Sequence, residues 1–541
     1  MELSRAPNCV EDFFRWRNIY DGYSVFIVCA EFSRKLTKPL LFESLQNIIY
    51  KHPELYSQFY DEPISSTEKP EIKSVFNYTW DSFIDYLLTI PSKNEKKIQA
   101  KLKIIDSFQM KDVVEFLTAE NIGTNQGLID YISENIMIKK FEFNNNTPLW
   151  KISILNEKYA VFSCEHTLYD GNVGINIFKE LKDELNKNFD AEIIHKGENE
   201  SKENDEKLMN SKIFNSSNPE KKIQLPLDFT KVYPYIFKPD FSKVINALIQ
   251  RYVPNFMKKV LHLLYSRIYA KLFRSDSKYT SRTFGAPMVW QNYQNKPKIW
   301  VDQVKVLNYT PEEVNTLVTV CRKNNVKLTS LLVVSCMMGI APFADNKDII
   351  FGIPVNLRRY ATKEALKGHV LEDPNLVYGD LVGEVPTVFP SVVFNDGHND
   401  SSENVDISSR TDVDWDIVNW IQNHIQQHAE NVGANFGMLK YADVEENMKA
   451  GILRPKTISQ KLSNLGIIKN KDEDAFKIVD LVFHQPTGMY GSYHCCNVIS
   501  TDVGGMNICI TEVPGNKKGF EDYWSIFDQT IRKVLNSAET I

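Results

Sequence analysis

Residues 149–155 (LWKISIL) and 159–165 (YAVFSCE) constrain the fold more than any other part of the chain. Both are short runs of β-branched, aromatic and aliphatic residues, and Asn156-Glu157-Lys158 separates them. The pattern predicts a β-hairpin with a three-residue loop. The second run stops at His166-Thr167-Leu168-Tyr169-Asp170-Gly171, and a helical pattern follows (VGINIFKELKDEL). A hairpin feeding directly into a helix predicts mixed α/β layers, not a bundle or a pure β-sandwich. Further on, Thr310-Pro311-Glu312-Glu313 is a capping box with proline at the first helical position, predicting a helix to about Lys323. Residues 328–344 form the longest uncharged run, but Thr329, Ser330, Ser335 and Pro342 interrupt it. A buried core helix fits this run better than a membrane span.

The 541 residues include 43% hydrophobic positions, enough for full-sized cores, so a wholly disordered chain is excluded. With 63 basic against 69 acidic residues, the net charge of −6 argues against a dedicated nucleic-acid binder. Three polar tracts divide the chain: a lysine-rich surface element at 92–103 and long mobile loops at 186–222 and 395–412. The division is an N-terminal domain over 1–225, a basic amphipathic connector over 226–297 and a C-terminal domain over 298–541, each domain with its own sheet. Within 231–274, nine Lys/Arg oppose one acid, Asp240, among Phe, Tyr, Ile and Leu at helical spacing. Such a surface suits peripheral contact with anionic lipid, as on endoplasmic reticulum or lipid droplets. The alternative is a connector helix packed on its own domain. Eight scattered cysteines without Cys-x-x-Cys spacing suit buried thiols in a reducing compartment. The charged N-terminus lacks the apolar core of a signal peptide, so a cytoplasmic location is expected.

His166-x-x-x-Asp170-Gly171 is the best candidate for chemistry. As a bare pattern it is weak, because about 0.6 His-x-x-x-Asp matches arise by chance from this composition. A second match, His369 to Asp373, lacks the strand, the glycine and the helix. At a strand end an imidazole can be held rigidly and act as a general base on a hydroxyl or amine. Gly171 would permit a sharp exit into the helix. Asp170 would bond a partner that pins the loop, or orient the ring. A histidine that merely satisfies a backbone carbonyl remains the plainer alternative. No Gly-x-Ser-x-Gly elbow, Walker A loop or Gly-x-Gly-x-x-Gly occurs. His424 and His428 stand four apart, but Gln426 and Gln427 lie between them where a metalloprotease base would sit. A solvated helix face is the preferred reading, and no metal is expected.

Pieces spread along the chain carry a resemblance. They are Val10-Glu11-Asp12-Phe13-Phe14, Pro148-Leu149-Trp150-Lys151-Ile152, the His166–Gly171 motif and Pro354-Val355-Asn356-Leu357-Arg358-Arg359-Tyr360. Then come Tyr378-Gly379 with Val382-Gly383, Leu462-Ser463-Asn464-Leu465-Gly466, and the run from Ser500 to Asn507. In order and spacing they resemble the chloramphenicol-acetyltransferase-like, CoA-dependent acyltransferase superfamily, and within it the fungal alcohol O-acetyltransferases. The resemblance implies an α/β (α+β) fold of two such domains with an active-site tunnel between them. It departs from the family at Lys151, where relatives carry arginine, losing bidentate bonding but keeping charge.

The resemblance implies acetyl transfer from acetyl-CoA, as co-substrate, to an alcohol, with His166 as general base. An amine or sphingoid-type acceptor is the nearest alternative. A catalytically silent lipid-surface protein and a thioesterase are more distant ones. Ser463 and Asn464 are the candidate donors to the tetrahedral oxyanion, unless they only cap the turn before Gly466. Asp170 would pair with Arg17 or Arg358. Gly171, Arg17, Asn356 and Arg358 form the structural support of the loop. A monomer is expected.

Overall fold

A computed structural model describes residues 3–21, 25–63, 98–189, 202–239, 244–245, 302–344, 348–368, 371–390, 411–453, 456, 458–488, 491–513 and 517–539. The predicted hairpin is present as strands Trp150–Leu155 and Tyr159–Glu165. Its loop turns through positive φ at Asn156 and Glu157. The hairpin joins a five-stranded sheet in the order Ile478–His484, Val25–Phe32, Tyr159–Glu165, Trp150–Leu155, Val114–Leu117. The helix Gly171–Lys187 follows the hairpin, and its apolar stripe (Val173, Ile177, Leu181, Leu185) is sealed against the sheet together with Val28 and Phe162.

The C-terminal half builds a six-stranded sheet in the order Gln303–Tyr309, Gly505–Glu512, Ser492–Thr501, Ile458–Ile468, Asp348–Asn356, Val382–Pro390. The predicted capping box forms at Thr310 and Glu313, starting the helix Pro311–Lys323. Residues from 328 form the helix Leu328–Ile340, buried from Ser330 onward. Apolar residues lie all round it and pack into the core, as expected of a core helix, while Thr329 and Ser330 at its start line a cavity. Among the described residues, no single helix is long and apolar enough to cross a membrane.

Two sequence expectations need correction. The strand Ile478–His484 belongs by sequence to the C-terminal half, yet it pairs antiparallel with Val25–Phe32 in the N-terminal sheet. The two halves are therefore interlocked, and a cut at 298 does not separate the sheets. The supposed loop 186–222 contains a helix, Lys202–Met209, and a strand, Lys212–Asn215, paired with Ser107–Gln109. Burial of Ile213 and Phe214 outweighs the polar composition around them. The lysine-rich 92–103 element contributes the strand Ile98–Ile104, paired with Ser57–Pro63.

Most of the basic segment 231–274, the polar tract up to 410, and His369 lie outside the described residues. Where the basic segment is described, Tyr233, Ile236 and Phe237 are buried in the C-terminal core. His424 stacks on Trp420 at 5.3 Å between ring centroids and is only partly exposed, while His428 is exposed.

Candidate active site

A cavity of about 1010 Å³ lies where the two lobes meet. The N-terminal half contributes Phe13, Phe14, Arg17, His166 and Asp170 to its wall, and the C-terminal half contributes Thr329, Asn356, Phe436, Ser463 and Asn464. Phe13, Phe14 and Arg17 arrive on the helix Cys9–Ile19, which starts at a capping box formed by Asn8 and Glu11. His166 follows the last residue of the hairpin strand, so the ladder fixes its backbone.

The imidazole of His166 lies parallel to the Phe14 ring, with centroids 4.3 Å apart and planes within 2°. Its Nδ1 is 2.7 Å from Oδ2 of Asp380. Burial pushes the His166 imidazole down to about 3, and the Arg17 guanidinium adds to that effect. Burial also pushes the Asp380 carboxyl up, with the Asp170 charge acting in the same direction. Both shifts favour a neutral imidazole, the form a general base requires. Asp380 Oδ1 is buried without a hydrogen-bond partner. An unsatisfied buried oxygen costs about 1–3 kcal/mol, and such groups call for a reason.

Asp170 points away from the imidazole. It is the N-cap of the helix Gly171–Lys187, and its Oδ1 accepts from Val173 N at 3.1 Å. Its Oδ2 accepts from Arg358 Nη1 at 2.6 Å and from Leu381 N at 3.0 Å. Of the two arginines considered from sequence, Arg358 is the partner. Arg358 Nε and Nη2 donate to the carbonyls of Val377 and Gly379 at 2.9 and 2.8 Å. Arg17 instead places its guanidinium 4.4 Å from the Phe14 ring centroid. Asn356 caps the turn carrying Arg358 and donates to Asn172 Oδ1 at 3.2 Å. The support residues Gly171, Asn356 and Arg358 are thus gathered at the loop, while Arg17 lines the cavity.

The helix begins at Gly171 itself, without a positive φ there. The constraint there is crowding, because a Cβ would stand 2.5 Å from Leu465 Cδ2, the end of a side chain that would have to shift. Leu465 belongs to an irregular stretch of Ile458–Ile468, where Asn464 pairs with Val498 but Ile467 with Ser500. Gly466 turns this bulge with φ +84°, and Asn464 Oδ1 caps it by accepting from Gly466 N at 2.9 Å. Asn464 Nδ2 donates to Thr329 Oγ1 at 3.1 Å. The turn-capping alternative therefore describes the carbonyl of Asn464, while one amide hydrogen is not committed to Thr329.

The cations in the lining are differently engaged. Lys456 donates to the carbonyls of Thr487, Gly488 and Ser492, and Lys461 pairs with Glu384 at 2.6 Å. Three carbonyls use all three ammonium hydrogens of Lys456, so it anchors the wall. Among the described residues, no group of three or more His, Cys, Asp or Glu is arranged to hold a metal ion.

Residues 8–531 match the alcohol acetyltransferase family. The chain belongs to that family. Proteins similar to it include the N-acetyltransferase SLI1 of Saccharomyces cerevisiae, 23% identical over 98% of both chains. The Alcohol O-acetyltransferase 1 of the same yeast is 21% identical over 97% of this chain and 94% of its own. Among solved structures, the TRI3 trichothecene 15-O-acetyltransferase of Fusarium sporotrichioides superposes with a TM-score of 0.58. Identity there is 11%, over 98% of this chain and 95% of the other. The epimerization domain of tyrocidine synthetase B superposes at 0.54 with 9% identity, covering 100% and 99%. The fold is thus that of the acyltransferase and condensation-type domains, and this acetyltransferase family member carries His166 at the seam of its two lobes.

Asp380 was not legible as a site residue. The signal was nonetheless close, since it sits inside the family-like run between Tyr378-Gly379 and Val382-Gly383.

Proposed function

We propose that the chain transfers the acetyl group of acetyl-CoA to an alcohol hydroxyl, forming an acetate ester. The observation that carries this reading is the buried imidazole of His166, its pKa held down by burial, on a cavity shared by both lobes. Nε2 takes the hydroxyl proton as the oxygen attacks the thioester carbonyl. The new C–O bond forms, the C–S bond breaks, and His166 returns the proton to the departing thiolate. Asn464, and Ser463 beside it, face the same cavity and are the proposed donors to the oxyanion, a contribution that often exceeds that of proton transfer.

The 23% identity to an N-acetyltransferase supports an amine acceptor as a second reading. The charges of the wall favour the alcohol. Its carboxylates, Asp170 and Glu384, are each already paired with a cation, and Arg17 is nearby. Among the described residues, an ammonium group entering such a site meets no unpaired anion in the lining, and it would have to shed its proton first.

The test is purified enzyme with acetyl-CoA and a series of alcohols and long-chain amines, following free thiol and product together. Ester formation that vanishes in His166→Ala, with an unchanged melting curve, is the expected result. Amide formation alone would transfer the assignment to the amine reading. Wild-type turnover in His166→Ala would remove the general base.

A further inference from the structure

We propose that Asp380 is the positioning residue of His166, and that the Asp170–Arg358 pair serves the reaction by presenting Asp380 to the ring. The inference rests on His166 being the base. Asp380 lies 2.7 Å from Nδ1, and its side chain is 1% exposed. The residues on both sides of it are fastened to the histidine loop. Gly379 O accepts from Arg358 Nη2, and Leu381 N donates to Asp170 Oδ2. Tyr169, in the loop itself, forms a parallel bridge with Gly379. Leu381 O accepts from Leu357 N at 2.8 Å, closing the frame on the far side.

The buried ion pair therefore does not touch the ring. It holds the backbone on either side of the aspartate that does. Gly379 has φ +120°, and a Cβ there would meet Phe229 at 2.1 Å, so the segment takes its course only with glycine at that position. A carboxylate facing Nδ1 keeps the proton on that nitrogen, leaves the Nε2 lone pair for substrate, and stabilises the imidazolium that forms during transfer.

The isosteric change Asp380→Asn removes the charge while keeping the volume. The expected result is a fall in kcat of about 10²–10⁴-fold with the KM for acetyl-CoA within threefold. The ¹⁵N spectrum of histidine-labelled enzyme, with His166 assigned by its loss in His166→Ala, should show the Nδ1–H form in the wild type. That form should lose its dominance in Asp380→Asn, a change that simple loosening of the fold would not produce. Should the asparagine variant fold poorly, Asp380→Ala supplemented with formate should recover part of the lost kcat. Because Asp170 acts through Asp380, Asp170→Asn combined with Asp380→Asn should be about as slow as the slower single variant, not the product of both losses. A wild-type kcat and an unchanged tautomer in Asp380→Asn, with His166→Ala inactive, would overturn this assignment alone. Activity in His166→Ala would overturn the base itself.

Discussion

Arg358 and Asp170 meet across 188 residues of sequence, with Nη1 and Oδ2 2.6 Å apart and side chains only 1% and 2% exposed. Removing one partner leaves the other as an uncompensated buried charge. Arg358→Met should therefore lower unfolding free energy by about 3–5 kcal/mol, and it strands the carbonyls of Val377 and Gly379 as well. Arg17→Met, which leaves this pair intact, should cost clearly less. Denaturant titration of both variants checks the order, and equal losses would mean the pair is not what holds the loop.

Gly171 allows the His166 loop to lie against the bulge in Ile458–Ile468. A methyl group at 171 must displace the end of the Leu465 side chain, an overpacking that costs about 1–3 kcal/mol. Gly171→Ala should lower both the melting temperature and turnover. Adding Leu465→Ala should recover part of both, because it vacates the contested volume. A double variant no better than Gly171→Ala would show that this contact is not the cause.

The pH profile follows from the proton count of His166 and Asp380. With two protons on the pair, Nε2 carries hydrogen and cannot accept another, whereas with one it can. Activity should therefore rise with pH as the second proton leaves, and the apparent pKa belongs to the pair. Burial raises the Asp380 carboxyl, so this acid limb should lie above the ordinary carboxylate range. Arg17 and Arg358 favour loss of the proton, while Asp170 and Glu165 oppose it. In Asp380→Asn the limb should move to lower pH, because burial and Arg17 depress the remaining imidazole. Profiles of kcat/KM for both enzymes test this, and an unmoved limb would remove Asp380 from the titration.

Local chemistry was readable from the chain alone. Short runs of β-branched, aromatic and aliphatic residues specify the hairpin, a hydroxyl three residues before a glutamate specifies the helix start at Thr310, and a histidine at the strand end marks the candidate site. These signals survive in sequence because neighbours within a few residues create them. Composition misled where a few apolar residues decide the outcome, as at Ile213 and Phe214 within a polar tract. It was silent on the Ile478–His484 crossover, because a strand's own residues do not say which sheet edge will receive it.

Sequence by itself determined a mixed α/β chain with a histidine on a rigid strand end and the outline of its family. The tertiary structure decided that Arg358, not Arg17, pairs with Asp170, that Leu465 crowds Gly171, and that Asp380, 214 residues from His166, faces its ring. The physical reason is range. Hydrogen bonds and excluded volume act over a few ångströms, and only the folded chain brings residues so distant in sequence within that reach.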